Sequence, residues 1–461
     1  MINRAKLSLF ASAIVLSGCT NLSTNEDIAA ATAASLGSLP DRWMVEGVKP
    51  GEVQIGWIEA IGDPVLTELV FEAQANNPDI RAAAANLEAS RALVRQSRAA
   101  LFPSVSGAFN VERTDSPQPF ALDDPIYTPS VQAQWEIDLW GRVRAARNAA
   151  YASAQAVEAD FLFAQYALAQ GVASAYFASI ESQLQIAVAE RTVAALAEID
   201  RIVRVRYREG FASRQDAATA AADLGTARDK LVEAKGFGRS TKRALEVLLG
   251  RYPASAVALI EDLPETPATA PAGLPAELLE RRPDLIAAER RVAAAFAALD
   301  QAKAAQLPAV SLTGSAGGAS TDLFDVLNGA NLIWSVIGNV LQPIFDGGLR
   351  EAQEDEADAN RRVAIATYSS TALSALREVE ENLDQAQILA KRENILEAAA
   401  EDSGTSYALA QLQYVEGEIA LIDVLNIQQR LFVAEQSLVA IRRARVEQWV
   451  ALNLALGGSW E

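Results

Sequence analysis

The sequence contains no histidine, a single cysteine and only two methionines among its 461 residues. Without histidine there is no imidazole for acid–base or Ser-His chemistry, and most zinc and copper sites are excluded as well. The lone Cys19 cannot form a disulfide within the chain. Carboxylate, serine, lysine or tyrosine chemistry remains, but no motif for it stands out. We therefore expect no enzyme activity, no metal and no cofactor.

Positive charge is also scarce, since 40 Lys and Arg face 59 Asp and Glu, giving a formal net charge of −19. A chain this acidic is not expected to bind nucleic acid. The body of the chain has no uninterrupted apolar run of transmembrane-helix length, so no membrane-spanning helix is predicted. Hydrophobic residues nevertheless make up 50% of the sequence, enough for a large core.

Proline is absent from two long stretches, residues 130–252 and 344–461. Proline breaks helix interiors, and both stretches are rich in good helix formers. Each stretch therefore predicts a helical hairpin, with its turn near Gly210 in the first and Gly417 in the second. Arms of about 60 residues would be roughly 90 Å long at ~1.5 Å per residue. In the second stretch a coiled-coil-like seam has the spacing 3, 4, 3, 4: Leu376, Val379, Leu383, Ala386 and Ala390.

The N-terminus has the pattern of a targeting signal. Arg4 and Lys6 precede an apolar stretch at residues 7–16, which is too short to span a bilayer. The stretch ends in Leu16-Ser17-Gly18-Cys19, which resembles the lipobox of bacterial lipoproteins. That resemblance implies cleavage before Cys19, acylation of Cys19 and, because Thr20 is not Asp, sorting to the outer membrane. The alternative is an ordinary signal peptide with an incidental cysteine.

The chain repeats itself at a nearly constant offset. Asn77-Pro78-Asp79-Ile80 recurs 205 residues later as Arg282-Pro283-Asp284-Leu285. Tyr207, Gly210 and Asp216 recur at an offset of 207, as Tyr414, Gly417 and Asp423. Proline, glycine and tyrosine are not abundant here, so chance similarity is a poor explanation. The doubling predicts two halves of one architecture, which is typical of symmetric objects such as channels and barrels.

Four short segments lie between the predicted helices and alternate apolar with polar residues: Ser104–Glu112, Ser130–Leu139, the region around Val310–Ala316, and Leu332–Leu341, which alternates least well. About ten alternating residues fit a transmembrane β-strand, although a half-buried strand of a soluble sheet has the same period. We expect the apolar residues of the second segment to face lipid: Val131, Ala133, Trp135, Ile137 and Leu139. Four strands cannot close a membrane barrel, so spanning strands would require several copies to share one barrel.

These features together resemble the TolC-like outer-membrane efflux proteins, and more narrowly the NodT/OprM-type lipoprotein branch that serves resistance-nodulation-division pumps. The similarity extends over residues 13–458 and is carried by the lipobox, the repeat and four segments: Leu279-Glu280-Arg281-Arg282-Pro283-Asp284-Leu285-Ile286, Ile137-Asp138-Leu139-Trp140-Gly141-Arg142, Gln342-Pro343-Ile344-Phe345-Asp346-Gly347-Gly348 and Asp423-Val424-Leu425 after Gly417.

The resemblance implies a mixed α and β fold, in which a long α-helical hairpin barrel continues into a transmembrane β-barrel shared by the three protomers of a homotrimer. The expected organisation is a signal peptide at residues 1–18, a lipid-anchored and equatorial segment at 19–62, a first efflux-protein repeat at 63–252, an equatorial linker at 253–277 and a second repeat at 278–461. The expected location is the outer membrane, with the helices in the periplasm.

The resemblance also implies a gate at the hairpin tips. Gly210 and Gly417 mark the tips, which would contact a periplasmic adaptor. The expected gate residues are Asp423, Ile422, Tyr414, Arg208, Tyr207 and Asp216. Three copies of Asp423 would form an acidic ring that favours cations. Some relatives carry an acid three residues later, where this chain has Asn426. The arginines at 201, 204, 206 and 208 could instead belong to a solvated face paired with nearby acids.

The function implied is a passive exit duct for small molecules, supplied by an inner-membrane pump through the adaptor. A duct for type I protein secretion is the alternative, which the lipobox disfavours. A structural coiled-coil lipoprotein would explain the hairpins but not the strands. The sequence leaves the cargo open among drugs, metals and siderophores.

Overall fold

The computed structural model describes residues 22–48, 56–114, 122–267, 272–326 and 328–458. Cys19 and the predicted signal peptide lie outside these residues, as do parts of both predicted equatorial segments. Within the described residues the chain is mostly helical and contains one small antiparallel sheet. No helix among them combines the length and the apolarity that crossing a membrane requires.

The same series of elements occurs twice along the chain. Three helices come first: α1 (Asn25–Leu36), α2 (Trp57–Ile61) and α3 (Pro64–Asn76). The first series follows: α4 (Pro78–Ala99), β1 (Ser104–Thr114), β2 (Leu122–Ile137), α5 (Arg142–Arg208) and α6 (Arg214–Leu248). After α7 (Pro275–Arg281), the second series is α8 (Pro283–Ala304), β3 (Ala309–Gly318), β4 (Leu332–Leu341), α9 (Leu349–Glu416) and α10 (Leu421–Ala455).

The chain divides into two compact units. Among the residues that the structure describes, the first comprises those within 22–37, 85–159 and 286–371, and it contains the sheet. In it, a small core packs Ile28 of α1 against Val292 and Phe296 of α8 and Tyr368 of α9. The second comprises residues 38–84, 160–285 and 372–461, and it contains the hairpin turns.

The sheet has the strand order β1-β2-β3-β4, with every neighbouring pair antiparallel. The predicted segments are present with shifted ends: β1 extends to Thr114, and β2 begins at Leu122, eight residues before the predicted start at Ser130. Pro129 is tolerated inside β2 because the ladder with β3 ends at Ser130. β2 stops at Ile137, so the prediction that Leu139 continues this strand was wrong.

The two arms of each hairpin differ in length, which corrects the prediction of arms of about 60 residues. The outgoing helices α5 and α9 have 67 and 68 residues, whereas the returning helices α6 and α10 have 35 each. Helix α6 ends before Gly250, whose φ is +73° and where a Cβ would lie 2.7 Å from the Asn76 carbonyl oxygen. The buried Glu246 carboxylate then accepts backbone N–H groups from Ser255, Ala256 and Val257, which turns the chain away from the helix axis.

A large core lies in the second unit and joins five helices, α2, α3, α5, α6 and α10. It includes Leu66 and Val70 of α3, Tyr176 and Phe177 of α5, Leu245 of α6 and Trp449 of α10. The Tyr176 hydroxyl donates to Asp63 Oδ2 at 2.8 Å, and Asp63 also caps α3 through the N–H groups of Val65 and Leu66. Burial raises the pKa of the Tyr176 phenol, with the neighbouring Asp63 adding to the effect.

The Arg-Pro-Asp motif forms a charge cluster around a buried arginine in the same unit. The side chain of Arg282 is only 5% exposed, and its fork donates to Asp284 at 3.0 and 2.8 Å. The Nη1 atom also donates to Glu378 and to the Ala455 carbonyl oxygen at the end of α10. The corresponding residue of the first series, Asn77, donates to the Leu248 carbonyl oxygen at the end of α6. Both side chains thus tie a proline-initiated helix to the end of a returning helix.

Candidate functional site

One face of the sheet is apolar across all four strands. The register places Val131 between Gly107 and Ala316, and Ala133 between Val105 and Gly314. On the next strand Leu312 and Ala316 lie opposite Gly338 and Trp334. Because partners directly opposite in a ladder point to the same face, the apolar residues of four strands form one surface. Val131 is 53% exposed and Trp334 is 71% exposed, so this surface is uncovered in the single chain.

The opposite face is mainly polar. Gln132 lies between Ser106 and Ser315, and Gln134 lies between Ser104 and Thr313. The Ser315 and Ser335 hydroxyls are 2.7 Å apart, linking β3 to β4 on this face. Strand β4 interrupts the pattern with three apolar residues on the polar side: Ile333, Ile337 and Leu341. This is why alternation was weakest for β4 in the sequence.

Trp135 marks the end of the sheet nearest the helices. Its indole Nε1 donates to the Leu101 carbonyl oxygen at 3.0 Å, just beyond α4. Trp135 is also only two residues from the end of β2. Tryptophan combines an apolar ring with a donor that needs a partner, which suits the boundary between lipid and water. Val131 therefore reports better on the middle of the apolar face than Trp135 does.

The hairpin turns lie where the sequence predicts them. Gly210 ends α5 with a φ of +82°, and Gly417 ends α9 with a φ of +83°. These are left-handed conformations that glycine adopts without steric cost. Asp216 lies in the first turn of α6, where it accepts the Ser213 N–H at 2.9 Å and the Ser213 hydroxyl at 2.8 Å. Asp423 holds the matching position of α10 and accepts the Ala420 N–H at 3.3 Å.

A polar contact between the two tips joins Arg206 to Tyr414. The Arg206 guanidinium carbon is 4.9 Å from the centre of the Tyr414 ring, and its Nη1 donates to the Tyr414 carbonyl oxygen. Tyr414 is buried, and burial raises the pKa of its phenol, an effect that the Arg206 charge opposes. The Arg206 side chain therefore contacts both the Tyr414 ring and the Tyr414 backbone, immediately before the turn at Gly417.

The other expected gate residues have different surroundings. Tyr207 is 44% exposed and Ile422 is 56% exposed, and Arg208 is exposed at the end of α5. Arg201 pairs with Glu198 and Arg204 pairs with Asp200, each on its own helix. The structure thus brings Arg206, Tyr414 and Gly417 together, while Ile422 and Tyr207 lie on the surface of the chain.

An apolar cluster lies next to the hairpin turns. Leu196, Ile199 and Val203 of α5 pack in one cluster with Leu224 of α6 and Leu425 of α10. Those α5 residues are spaced 3 and 4 apart, and Arg206 follows Val203 by three residues on the same helical face. That spacing is the signal in the sequence that selects Arg206, rather than the exposed Arg208, as the inward-facing arginine.

A metal site does not emerge from the described ranges, where no three His, Cys, Asp or Glu side chains are grouped as ligands. The sheet offers one exposed apolar face and one mainly polar face. The tips offer a cation held against an aromatic ring, flanked by acidic helix caps.

Comparison with known proteins places this architecture in a family. A sequence model described as "Outer membrane efflux protein" matches residues 69–251 and again residues 274–458. The toluene efflux pump outer membrane protein TtgI of Pseudomonas putida is 32% identical over 414 residues, covering 87% of each chain. The outer membrane protein OprJ of Pseudomonas aeruginosa is 30% identical over 420 residues, covering 88% of this chain and 87% of its own.

A solved structure, that of the outer-membrane channel OprN, superimposes with a TM-score of 0.85 at 26% identity. The superposition covers 92% of this chain and 99% of that one.

Proposed function

The chain belongs to the outer membrane efflux protein family, and from that premise we propose that three copies form the exit duct of a tripartite efflux system. The protein is an outer-membrane efflux channel and not an enzyme. In the proposed trimer, a twelve-stranded barrel lies in the membrane and continues as a helical tunnel in the periplasm. The two series of elements act as two repeats within each protomer.

The observation that carries this proposal is a sheet with one apolar face and two outer edges. Strands β1 and β4 are the outermost of the four in the described sheet. A membrane offers no water to satisfy their unpaired N–H and C=O groups, so both edges need partners. Pairing β4 of one copy with β1 of the next satisfies both, and three copies give twelve strands, above the ~8 of the smallest membrane barrels.

The same arrangement gives the two faces their roles. The apolar face contacts lipid, and the face that carries Gln132 and Gln134 lines a hydrated pore. The hairpin tips around Gly210 and Gly417 form the periplasmic end, where the channel closes and where a periplasmic adaptor contacts it. The protein conducts passively, because the energy for transport comes from the inner-membrane pump.

Small molecules are the proposed cargo. TtgI is named for toluene efflux and OprN is described as an outer-membrane channel, and both likenesses span most of this chain. A type I secretion duct is the second candidate. The lipobox disfavours it, because the lipoprotein branch serves small-molecule pumps.

We also propose that Cys19 carries the lipid anchor. The motivation is Leu16-Ser17-Gly18-Cys19 and the lack of any other cysteine in the chain. Mass spectrometry of the mature N-terminus decides it: an acylated Cys19 is expected, whereas a free Cys19 amine or cleavage elsewhere contradicts the anchor.

The test of function is efflux in cells. Deleting the gene should raise the steady accumulation of a fluorescent pump substrate, and the wild-type gene should restore efflux. A strain that exports the dye normally without the gene, while failing to export a polypeptide, would instead favour the secretion duct.

A further inference from the structure

The two hairpins share an ion pair between their arms at an offset of 207 residues. In the first, Glu190 of α5 pairs with Lys235 of α6 at 2.7 Å. In the second, Glu397 of α9 pairs with Arg442 of α10 at 2.8 Å. Both members of the second pair lie 207 residues after those of the first. The helix starts at Arg142 and Leu349 give the same offset, so equivalent positions in the hairpins can be compared one by one.

Helix α5 has a further neighbour, helix α10 of the other hairpin. Gln185 Nε2 donates to the Gln436 carbonyl oxygen at 3.0 Å, and Arg191 pairs with Glu435 at 3.2 Å. These contacts join the first hairpin to the second within one chain. The equivalent of α5 in the second hairpin is α9, and the equivalent of α10 in the first hairpin is α6.

The matching face of α9 is uncovered in the single chain. Val188 of α5 is 2% exposed, whereas its equivalent Ile395 of α9 is 67% exposed. Since the arms of both hairpins pair in the same register, this difference in exposure indicates that α9 lacks a neighbour like the one that covers α5. On α6, the residues equivalent to those of α10 are exposed too, including Gly225 and Asp229.

We infer that α9 of one copy packs against α6 of the next copy, with Arg392 of the first copy paired to Asp229 of the second. Adding 207 to Gln185 gives Arg392, and subtracting 207 from Gln436 gives Asp229. Within the chain the Gln185 side chain donates to a backbone carbonyl oxygen of α10. At the equivalent positions the donor is an arginine and the residue that carries the carbonyl is an aspartate, so the contact between chains brings opposite charges together. This interface rests on the proposed trimeric duct and names the helical contact that closes it.

The charges on each helix support this pairing. Residues three and four positions from Arg392 on α9 are all apolar: Ile388, Leu389, Ile395 and Leu396. Around Asp229 on α6 the corresponding residues are Gly225, Thr226, Val232 and Glu233, none of them basic. Neither charge therefore has an opposite partner at helical spacing on its own helix, where such pairs form.

Side-chain size is complementary as well. Within the chain, the small Ala189 of α5 and the large Phe432 of α10 line the same groove. At the equivalent positions the sizes are exchanged. Leu396 of α9 is large where α5 has Ala189, and Gly225 of α6 is small where α10 has Phe432. A Cβ at Gly225 would meet nothing within 4 Å in the single chain. Glycine weakens a helix interior, so an exposed Gly225 is explained by the close approach of a large residue from the next copy.

Cysteine crosslinking tests the interface in the full-length protein in its membrane. The double variant Asp229→Cys with Arg392→Cys should form disulfide-linked dimers and trimers on non-reducing gels after mild oxidation. The matched control is Gln185→Cys with Gln436→Cys, which should crosslink within one chain and stay at monomer mass. Co-expressing the two single variants Asp229→Cys and Arg392→Cys should give a linked dimer, which only a contact between copies can produce.

The outcomes separate this inference from the proposed function. Native mass spectrometry that finds a trimer, without any link between residues 229 and 392, overturns the interface and leaves the trimeric duct standing. A monomer by native mass spectrometry overturns the trimer itself. If the cysteine variants do not fold, the exchange of Asp229→Arg with Arg392→Asp decides: each single change should lower the trimer yield severalfold, and the double exchange should restore it. If the two single variants and the double exchange give equal trimer yields, the proposed ion pair is overturned.

Discussion

Arg206 of the first hairpin lies over the ring of Tyr414 in the second, with its guanidinium carbon 4.9 Å from the ring centre. The same side chain donates to the Tyr414 carbonyl oxygen, three residues before Gly417. A single side chain thus links the two tips through two contacts. Any opening that separates the two hairpins at this point must break both contacts.

Replacing Arg206 by alanine should therefore loosen the closed tip. The lost cation–π contact and hydrogen bond are together expected to be worth about 1–2 kcal/mol, which changes the open fraction roughly tenfold. Single-channel recording should show more frequent opening, and cells should become more sensitive to vancomycin. Arg201→Ala is the matched control, because Arg201 pairs with Glu198 on its own helix. Equal opening in both variants would contradict a gating role for Arg206.

Asp423 can act through its charge or as a helix cap, and two substitutions separate these roles. Asp423→Asn removes the charge but keeps an oxygen that can accept the Ala420 N–H, whereas Asp423→Ala removes both. If three Asp423 carboxylates form a ring, both variants should lower cation preference and raise basal conductance. If only the cap matters, Asn should match wild type while Ala loosens the tip. Reversal potentials in a salt gradient distinguish the two results.

Arg282 should be among the residues most important for stability. Replacing it by methionine leaves the carboxylates of Asp284 and Glu378 without their shared cation and frees the Ala455 carbonyl oxygen. Removing one partner from a buried ion cluster costs about 3–5 kcal/mol. The midpoint of urea unfolding in detergent should fall clearly. Arg281→Met, which removes an exposed pair with Glu277, should change it little. Similar midpoints for the two variants would argue against the cluster.

The two faces of the sheet should respond oppositely to charge. Val131→Arg places a cation on the apolar face and should impair insertion, at a cost of about 2–4 kcal/mol near the midplane. Gln132→Arg, one residue later on the polar face, should insert normally. The measurement is the amount of each variant in the outer-membrane fraction, with total expression as the reference. Equal amounts would reject the assignment of faces.

The sequence was sufficient to predict the helices and strands that repeat along the chain. Alternation located all four strands, and the absence of proline located both long hairpins with their glycine turns. These features depend on local propensity and periodicity, which neighbouring residues reveal. The ends of β2 were less predictable, because Pro129 suggests a strand boundary unless the neighbouring ladder is known to end at Ser130.

Contacts between distant segments were harder to predict. The sequence indicated a cluster of arginines at the first tip but not which of them meets the second hairpin, since that depends on how two helices 200 residues apart are aligned. It also overestimated the length of the returning helices, and the end of α6 depends on the approach of Gly250 to Asn76. The role of Arg282 likewise depends on Ala455, at the far end of the chain.

Single-channel recording of the purified full-length protein in planar lipid bilayers tests the account most directly. A trimeric duct through the membrane predicts stable, discrete current steps, and Arg206→Ala should open more often than wild type. A preparation that retains its helical and sheet circular dichroism and reconstitutes into the lipid, yet leaves the bilayer without current steps for either protein, would contradict the channel.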